Sequence, residues 1–198
     1  MKVALGFKAH SGWAALVVLG AKDGRLEVVD RRRVELVTED EAGWAKAPFH
    51  AAEDLDPRAA AELVRRSTLA ARRNALREMR AAVKRAQKDG HNVAACAVLM
   101  GAPMPAWSVE EIRAVHFRMH KAEGVLFREA LTQAATGCGL RLVEVPEKEL
   151  SSFAGKVLAA PASALPKRIA ALGKGIGPPW GKDQKEAALA AMVALAGK

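Results

Sequence analysis

The segment at residues 93–99, Val-Ala-Ala-Cys-Ala-Val-Leu, is an unbroken apolar run bounded by polar residues or loops. Its length fits one β-strand, and the absence of polar alternation is typical of a strand buried on both faces. Strands of this kind are typical of sheets with a helical layer on each face. The run therefore predicts an α/β protein with a central strand covered by helices.

The residues before this run predict an antiparallel meander. Residues 3–19 read as a strand that is irregular at 8–12, and the Asp-Gly pair at 23–24 predicts a hairpin turn. Residues 25–29 and 33–37 contain β-branched residues in partial alternation, which predicts one or two further strands.

Helix signals then alternate with strand signals. Asp56-Pro57 predicts the start of a long helix that ends at Gly90, and Ser108 with Glu111 forms a capping box for a second long helix that ends at Gly137. The remaining predicted elements are a strand at 141–145 and helices at 152–159, 165–172 and 183–195. The order β-β-β-α-β-α-β-α predicts a five-stranded mixed sheet with helices on both faces, within one domain spanning residues 1–198.

The first long helix carries nearly all of the net charge of +9, because residues 58–88 hold ten arginines and lysines against two glutamates. Its predicted buried stripe includes Leu69 and Met79, and its basic residues recur in steps of three and four along another face. A basic row of this kind indicates a polyanionic partner such as DNA or RNA, although a solvated helix face, an acidic protein or a homodimer mate would also explain it. The predicted phosphate contacts are Arg66, Arg73, Arg77, Arg80, Lys84 and Lys88.

Other features exclude whole classes of protein. No run approaches the roughly 18 apolar residues that span a bilayer, so we expect no membrane partner. Lys8 and His10 interrupt the short apolar start, which argues against a secretory leader. Cys96 and Cys138 form no disulfide framework, so we expect a reducing, cytoplasmic location.

Two short motifs resemble those of RuvC-type resolvases in the RNase H-like superfamily. Residues 5–14, Leu-Gly-Phe-Lys-Ala-His-Ser-Gly-Trp-Ala, are similar to the strand and Gly/Ser turn that open that fold. Residues 182–190, Lys-Asp-Gln-Lys-Glu-Ala-Ala-Leu-Ala, are similar to its closing helix, which carries two carboxylates one turn apart. The resemblance implies an RNase H-like three-layer fold, a nucleic-acid partner and phosphodiester hydrolysis that depends on a divalent metal, Mg²⁺ or Mn²⁺.

The chain departs from the RuvC pattern at two acidic positions. Lys8 stands where the family has a catalytic aspartate, and residues 99–101 lack the family's second acid, so that only Asp183 and Glu186 match. Two-metal hydrolysis requires three or four converging oxygen ligands, and a lysine among them repels metal. We hypothesise that Lys8 occupies the place of the cation by pairing with Asp183 or Glu186.

A second constellation lies on the second long helix. His116, His120 and Glu123 share one helix face, and this spacing permits a transition-metal site, a catalytic or phosphate-contacting cluster, or a plain structural stripe. His10 is expected to join them. A nuclease site rebuilt after loss of the acids would combine these four residues with Asp183 and Glu186, whereas His50 and His91 are expected to be ordinary surface residues.

A glycine-rich loop at residues 173–182 precedes the last helix. Lys174, Lys182 and Trp180 supply charge and a stacking face next to a helix N-terminus, which predicts a phosphate or base contact. The alternative is a rigid joint in which Trp180 packs as a plug.

The sequence supports three interpretations of function and leaves open whether the chain is an enzyme. The leading one is a cytoplasmic nucleic-acid-binding protein of RNase H/RuvC-like fold with a degenerate or rebuilt nuclease site. The main alternative is a non-catalytic protein-interaction or dimerisation module of the same fold. A phosphoryl-transfer ancestry, as in sugar-kinase and actin-like relatives, ranks last because no second phosphate loop is present.

Overall fold

A computed structural model describes residues 1–22 and 24–197, which form a five-stranded mixed sheet between two helical layers. Asp23 of the predicted hairpin turn lies outside the described residues. The strands are β1 Lys2–His10, β2 Trp13–Lys22, β3 Arg25–Glu35, β4 Asn92–Met100 and β5 Arg141–Pro146. Their order is β3-β2-β1-β4-β5, with β1 antiparallel to β2, β2 antiparallel to β3, and β4 and β5 parallel to β1. The predicted fold class is confirmed.

Helices occupy both faces of the sheet. They are α1 Ala42–Ala45, α2 Pro48–Ala51, α3 Pro57–Lys88, α4 Val109–Arg113, α5 His116–Gly137, α6 Leu150–Val157, α7 Leu165–Lys174 and α8 Lys182–Ala196. Among residues 1–22 and 24–197, no helix is both long and apolar enough to cross a membrane.

The prediction of one continuous helix after Ser108 is wrong. The Ser108 capping box begins only α4, and Val115 is extended with φ −140° before α5 starts. The break turns the chain so that Ile112 and Met119 are both buried in one cluster with Phe49.

The long helix α3 starts and ends as predicted, and its predicted buried stripe is correct at Met79, which is fully buried, but wrong at Leu69. The Asp56 carboxylate accepts hydrogen bonds from the backbone N–H groups of Arg58 and Ala59, and Gly90 ends the helix with φ +76°. Leu69, expected to be buried, is 48% exposed. The buried face consists mainly of alanines because small side chains let α3 approach α5 and the sheet closely.

Successive side chains of β1 point to opposite faces of the sheet, so they pack against different helical layers. Leu5 and Phe7 are fully buried in the core shared with α3 and α5, whereas Ala4 belongs to the core shared with α8. Gly6 also faces α8, because a Cβ there would overlap the carbonyl oxygen of Ala187 and lie 2.7 Å from the backbone nitrogen of Ala191. The missing side chain lets α8 rest directly on β1, which brings the start of α8 beside the end of that strand.

Candidate functional site

A buried lysine lies where β1 meets the first turn of α8. Lys8 is 6% exposed, and its Nζ forms an ion pair and a hydrogen bond with Glu186. The same nitrogen lies 3.4 Å from Asp183 Oδ1 and 3.4 Å from Glu147 Oε1. One ammonium is therefore surrounded by three carboxylates, and we call these four residues the Lys8 pocket.

Each carboxylate reaches the Lys8 pocket for a local reason. Asp183 and Glu186 are three positions apart at the start of α8, so both project from one side of its first turn. Glu147 directly follows β5, which runs parallel to β1 through β4, and the carboxyl ends of parallel strands share one edge of the sheet. Sequence reasoning missed Glu147, although an acid directly after a predicted parallel strand is a usable signal.

An outer ring of basic groups holds the same carboxylates. His10 Nε2 lies 3.2 Å from Asp183, and Lys182 Nζ lies 3.8 Å from Glu186. Arg128 donates to Glu147 at 2.9 Å, and its guanidinium lies over Gly124, where a Cβ would be 2.9 Å from Arg128 Nη1. Arg128 therefore fills the space beside Gly124. The permanent cations Lys8, Lys182 and Arg128 therefore balance the charges of the three carboxylates.

The pocket stabilises the charged form of Lys8. Burial lowers the pKa of the Lys8 ammonium, but the hydrogen bond to Glu186 and the negative charges of Glu186, Glu147 and Asp183 outweigh that effect. The pKa of Lys8 consequently lies above its ordinary value of 10.5. Lys8 therefore carries its charge at neutral pH.

These residues do not fit a divalent metal. Oxygen ligands of Mg²⁺ or Mn²⁺ must converge on the ion itself, and here the point of convergence is the Lys8 nitrogen. A second positive charge in that space would meet the ammonium directly. The predicted pairing of Lys8 with Asp183 or Glu186 is confirmed, since Lys8 contacts both.

The histidines divide into two groups, whereas a single pocket was expected. His10 stacks on Trp13 with ring centroids 4.3 Å apart and contacts the Lys8 pocket through Asp183. His116 and His120 instead contact His50, at centroid distances of 5.0 and 4.5 Å. No hydrogen bond, ion pair or ring contact joins the two groups within residues 1–22 and 24–197.

The second group, which we call the histidine cluster, consists of His50, His116, His120 and Glu123. Ligand atoms of its three histidines all lie within 4.8 Å of one another. Glu123 is 3% exposed and lies 2.8 Å from His50 Nδ1. The expectation that His50 is an ordinary surface residue is wrong. Its position depends on packing between α2 and α5, for which the local sequence carries no signal.

The basic row of α3 lies on the outside of the molecule. All six predicted contacts are exposed: Arg66, Arg73, Arg77, Arg80, Lys84 and Lys88. Arg73 forms an ion pair with Glu41, and Arg77 lies 3.2 Å from Glu78. The row is therefore available to a partner, and its role in binding stays a prediction.

The loop before α8 is packed against α7. Trp180 Nε1 donates to the carbonyl oxygen of Ile169 at 3.0 Å, and a Cβ on Gly173 would overlap the Trp180 ring. This matches the rigid-joint alternative for Trp180. Lys174 and Lys182 are exposed, and their contact with nucleic acid stays a prediction.

Two clefts border these groups. The larger, about 650 Å³, lies among α6, α7 and α8 and is lined by Glu147 and Glu186 of the Lys8 pocket. The other, about 440 Å³, lies on α5 and is lined by His120, Lys121 and Phe117. Phe117 is 72% exposed beside basic side chains, a combination that sequence reasoning missed.

Comparison with known proteins supports the fold alone. The sequence matches no known family model and no curated protein. Among solved structures it is similar to the RuvC of Thermus thermophilus, with 14% identity, a TM-score of 0.49, and coverage of 96% of this chain and 92% of that chain. It is also similar to T. thermophilus RuvC in complex with Holliday junction substrate, with 12% identity, a TM-score of 0.51, and coverage of 98% and 92%. The architecture is RNase H-like, of the RuvC type.

Proposed function

We propose that this chain is a nucleic-acid-binding protein of RuvC-like fold whose acidic pocket does not cleave nucleic acid by a metal-dependent reaction. The observation that carries the proposal is the Lys8 ammonium among Asp183, Glu186 and Glu147. An internal cation takes the place in which the family's chemistry requires metal ions.

The basic row of α3 supports the binding part of the proposal. Its cations lie on an outer helix face, and Arg80, Lys84 and Lys88 have no ion-pair partner among the described residues. Unpaired cations attract phosphates and release counterions when they bind. The exposed ring of Phe117 beside Lys121 offers a second contact surface, suited to an unpaired base.

The internal charge balance of the Lys8 pocket supports the non-catalytic part. A metal ion that displaced Lys8 would break its hydrogen bond with Glu186. It would also leave a buried ammonium without a partner, which is costly. The pocket instead joins β1, β5 and α8, and so holds the carboxyl edge of the sheet together.

The binding test uses tag-free protein and fluorescence anisotropy with labelled four-way junction, duplex and single-stranded DNA. The junction is included because one of the similar structures is a RuvC in complex with Holliday junction substrate. If all six cations of the α3 row contact phosphates of duplex DNA, the affinity should fall about 10³-fold between 50 and 200 mM salt. Affinity that does not change with salt would rule out the phosphate contacts and favour a protein-interaction module.

Paired variants locate the binding surface. Arg80→Gln with Lys84→Gln should lower the slope of log affinity against log salt by about 1.8, since each duplex phosphate contact contributes about 0.9. The matched control is Lys156→Gln with Lys167→Gln, which removes the same charge from exposed positions on α6 and α7 across the sheet. Equal losses in both double variants would refute the assignment to α3.

The cleavage test incubates the same DNA with Mg²⁺ or Mn²⁺. Wild-type protein should leave every substrate intact. Metal-dependent cleavage that disappears in Glu186→Gln would show that the Lys8 pocket is catalytic and would overturn this half of the proposal.

A further inference from the structure

The histidine cluster has the arrangement of a metal site and lies outside the Lys8 pocket. His116 is the first residue of α5, and His120 follows one helical turn later on the same face. His50 reaches them from α2, so three imidazoles from two helices point at one volume. We propose that His50, His116 and His120 bind a first-row transition-metal ion such as Zn²⁺, and that Glu123 orients His50.

The hydrogen bonds of Glu123 determine the state of the His50 ring. Its Oε1 accepts the backbone N–H groups of Phe49 and His50 at 3.2 and 3.3 Å, which identifies it as an acceptor. The third partner of that oxygen, His50 Nδ1 at 2.8 Å, therefore donates its proton. In the neutral ring, the other nitrogen, Nε2, then carries the lone pair that a metal binds.

That free nitrogen has no other use in the described structure. His50 Nε2 is buried and has no hydrogen-bond partner among residues 1–22 and 24–197. A buried polar atom without a partner is costly, so such an atom indicates a missing ligand. A carboxylate that holds the far side of a ligating histidine is the usual support of a protein metal site.

The spacing of the three rings suits a small ion. Tetrahedral Zn²⁺ with nitrogen ligands at about 2.0–2.1 Å places those nitrogens about 3.3 Å apart. His116 Nε2 and His120 Nε2 are 3.1 Å apart, and all three ligand atoms lie within 4.8 Å. His116 and His120 are exposed, so small ring rotations complete the geometry without moving the backbone. Three imidazoles leave the fourth position to water or a further ligand.

The chemistry of the donors selects the class of ion. Neutral imidazole suits Zn²⁺, Ni²⁺ and Cu²⁺, whereas Mg²⁺ and Ca²⁺ require oxygen ligands. The metal preference of this cluster therefore differs from that of an acidic nuclease site, so the two sites can be tested separately.

The test is calorimetric titration of tag-free protein with ZnCl₂, combined with the visible absorption of bound Co²⁺, which reports tetrahedral coordination. Wild-type protein should bind one ion per chain. His50→Ala and His120→Ala should each weaken binding by more than the 10–100-fold typical of a lost outer-shell partner, and Glu123→Gln should fall within that range. His91→Ala is the matched control, because it removes an imidazole outside the cluster and should leave the affinity unchanged.

Two results would overturn the proposal. One is wild-type affinity no tighter than that of the His50→Ala/His120→Ala double variant. The other is binding that survives this double change but disappears in Glu186→Gln, which would assign the ion to the Lys8 pocket. If the other variants fail to fold, His116→Ala takes their place in the test. His116 is exposed at the first position of α5, so its replacement should not disturb folding. Unchanged Zn²⁺ affinity in that folded variant would also count against the site.

Discussion

Replacement of Lys8 by methionine should destabilise the protein strongly, because it removes the ammonium group and keeps most of the aliphatic stem. The ammonium lies 3.4 Å from both Asp183 and Glu147 in addition to its contact with Glu186. At an effective dielectric constant of about 20, each 3.4 Å pair contributes about 5 kcal/mol of attraction before desolvation. Desolvation offsets most of that gain, and loss of one partner of a buried pair costs about 3–5 kcal/mol.

We expect the loss of stability in Lys8→Met to lie at the lower end of this range of about 3–5 kcal/mol. The three carboxylates are 24–29% exposed and keep their outer basic partners, so water and those cations partly replace Lys8. The free energy of unfolding in guanidinium chloride at pH 7 should therefore fall by about 3 kcal/mol. The melting temperature should fall by roughly 6–12 °C for a chain of this size. Lys182→Met is the matched control: Lys182 also pairs with Glu186 but is 80% exposed, so its loss should cost no more than about 0.5 kcal/mol.

Divalent ions provide the decisive comparison. Lys8→Met frees the space among the carboxylates, so Mn²⁺ at 100 times its dissociation constant should restore about 2.7 kcal/mol to the variant and nothing to the wild type. Equal stabilisation of both proteins by Mn²⁺, or a defect below about 0.5 kcal/mol, would refute the assignment of Lys8 as an internal cation.

Three further results are expected in the same unfolding assay. Because the folded pKa of Lys8 is raised, its contribution should be present below pH 10.5 and lost as the pH rises through the folded pKa, and Lys8→Met should lack this alkaline loss. Burial raises the pKa of Glu41, but hydrogen bonds from Thr38 and Asn74 and the charge of Arg73 outweigh it, so the pKa lies below 4.5. Stability from Glu41 should be lost as the pH falls below that value, and Glu41→Gln should flatten the acid limb of the stability profile. Gly6→Ala should cost about 3 kcal/mol, because its Cβ would overlap the backbone of α8; a cost near zero would contradict the described helix position.

Elements with local signals were predictable from sequence. The cap at Asp56, the stop at Gly90 and the apolar run in β4 act through neighbouring residues, and all three appear in the structure. The end of the second long helix at Gly137 was also correct, but the break at Val115 was not. Residues on both sides of the break pack against α2 in one buried cluster. Contacts with a distant element are not encoded in the residues beside the break.

The sequence identified most of the residues of the candidate sites, but it did not show which of them contact one another. The pairing of Lys8 with the acids of α8 followed from the resemblance and was confirmed. Glu147 and His50 were missed, since each acquires its role from a partner on a distant element. His10 was expected to join both Asp183 and the histidines of α5, and of these it contacts only Asp183, because β1 ends beside the first turn of α8.

The sequence by itself determined the alternation of strands and helices, the ends of most elements and the basic face of α3, because periodicity, capping and charge act over a few residues. The tertiary structure decided which charged groups of distant elements meet, apart from the pairing of Lys8 with the acids of α8, which the resemblance implied. Lys8 and Glu186 are 178 positions apart, and His50 and Glu123 are 73 apart. Their contacts depend on strand order and on the approach of α8 to β1 that Gly6 permits, both of which arise from packing of the whole chain.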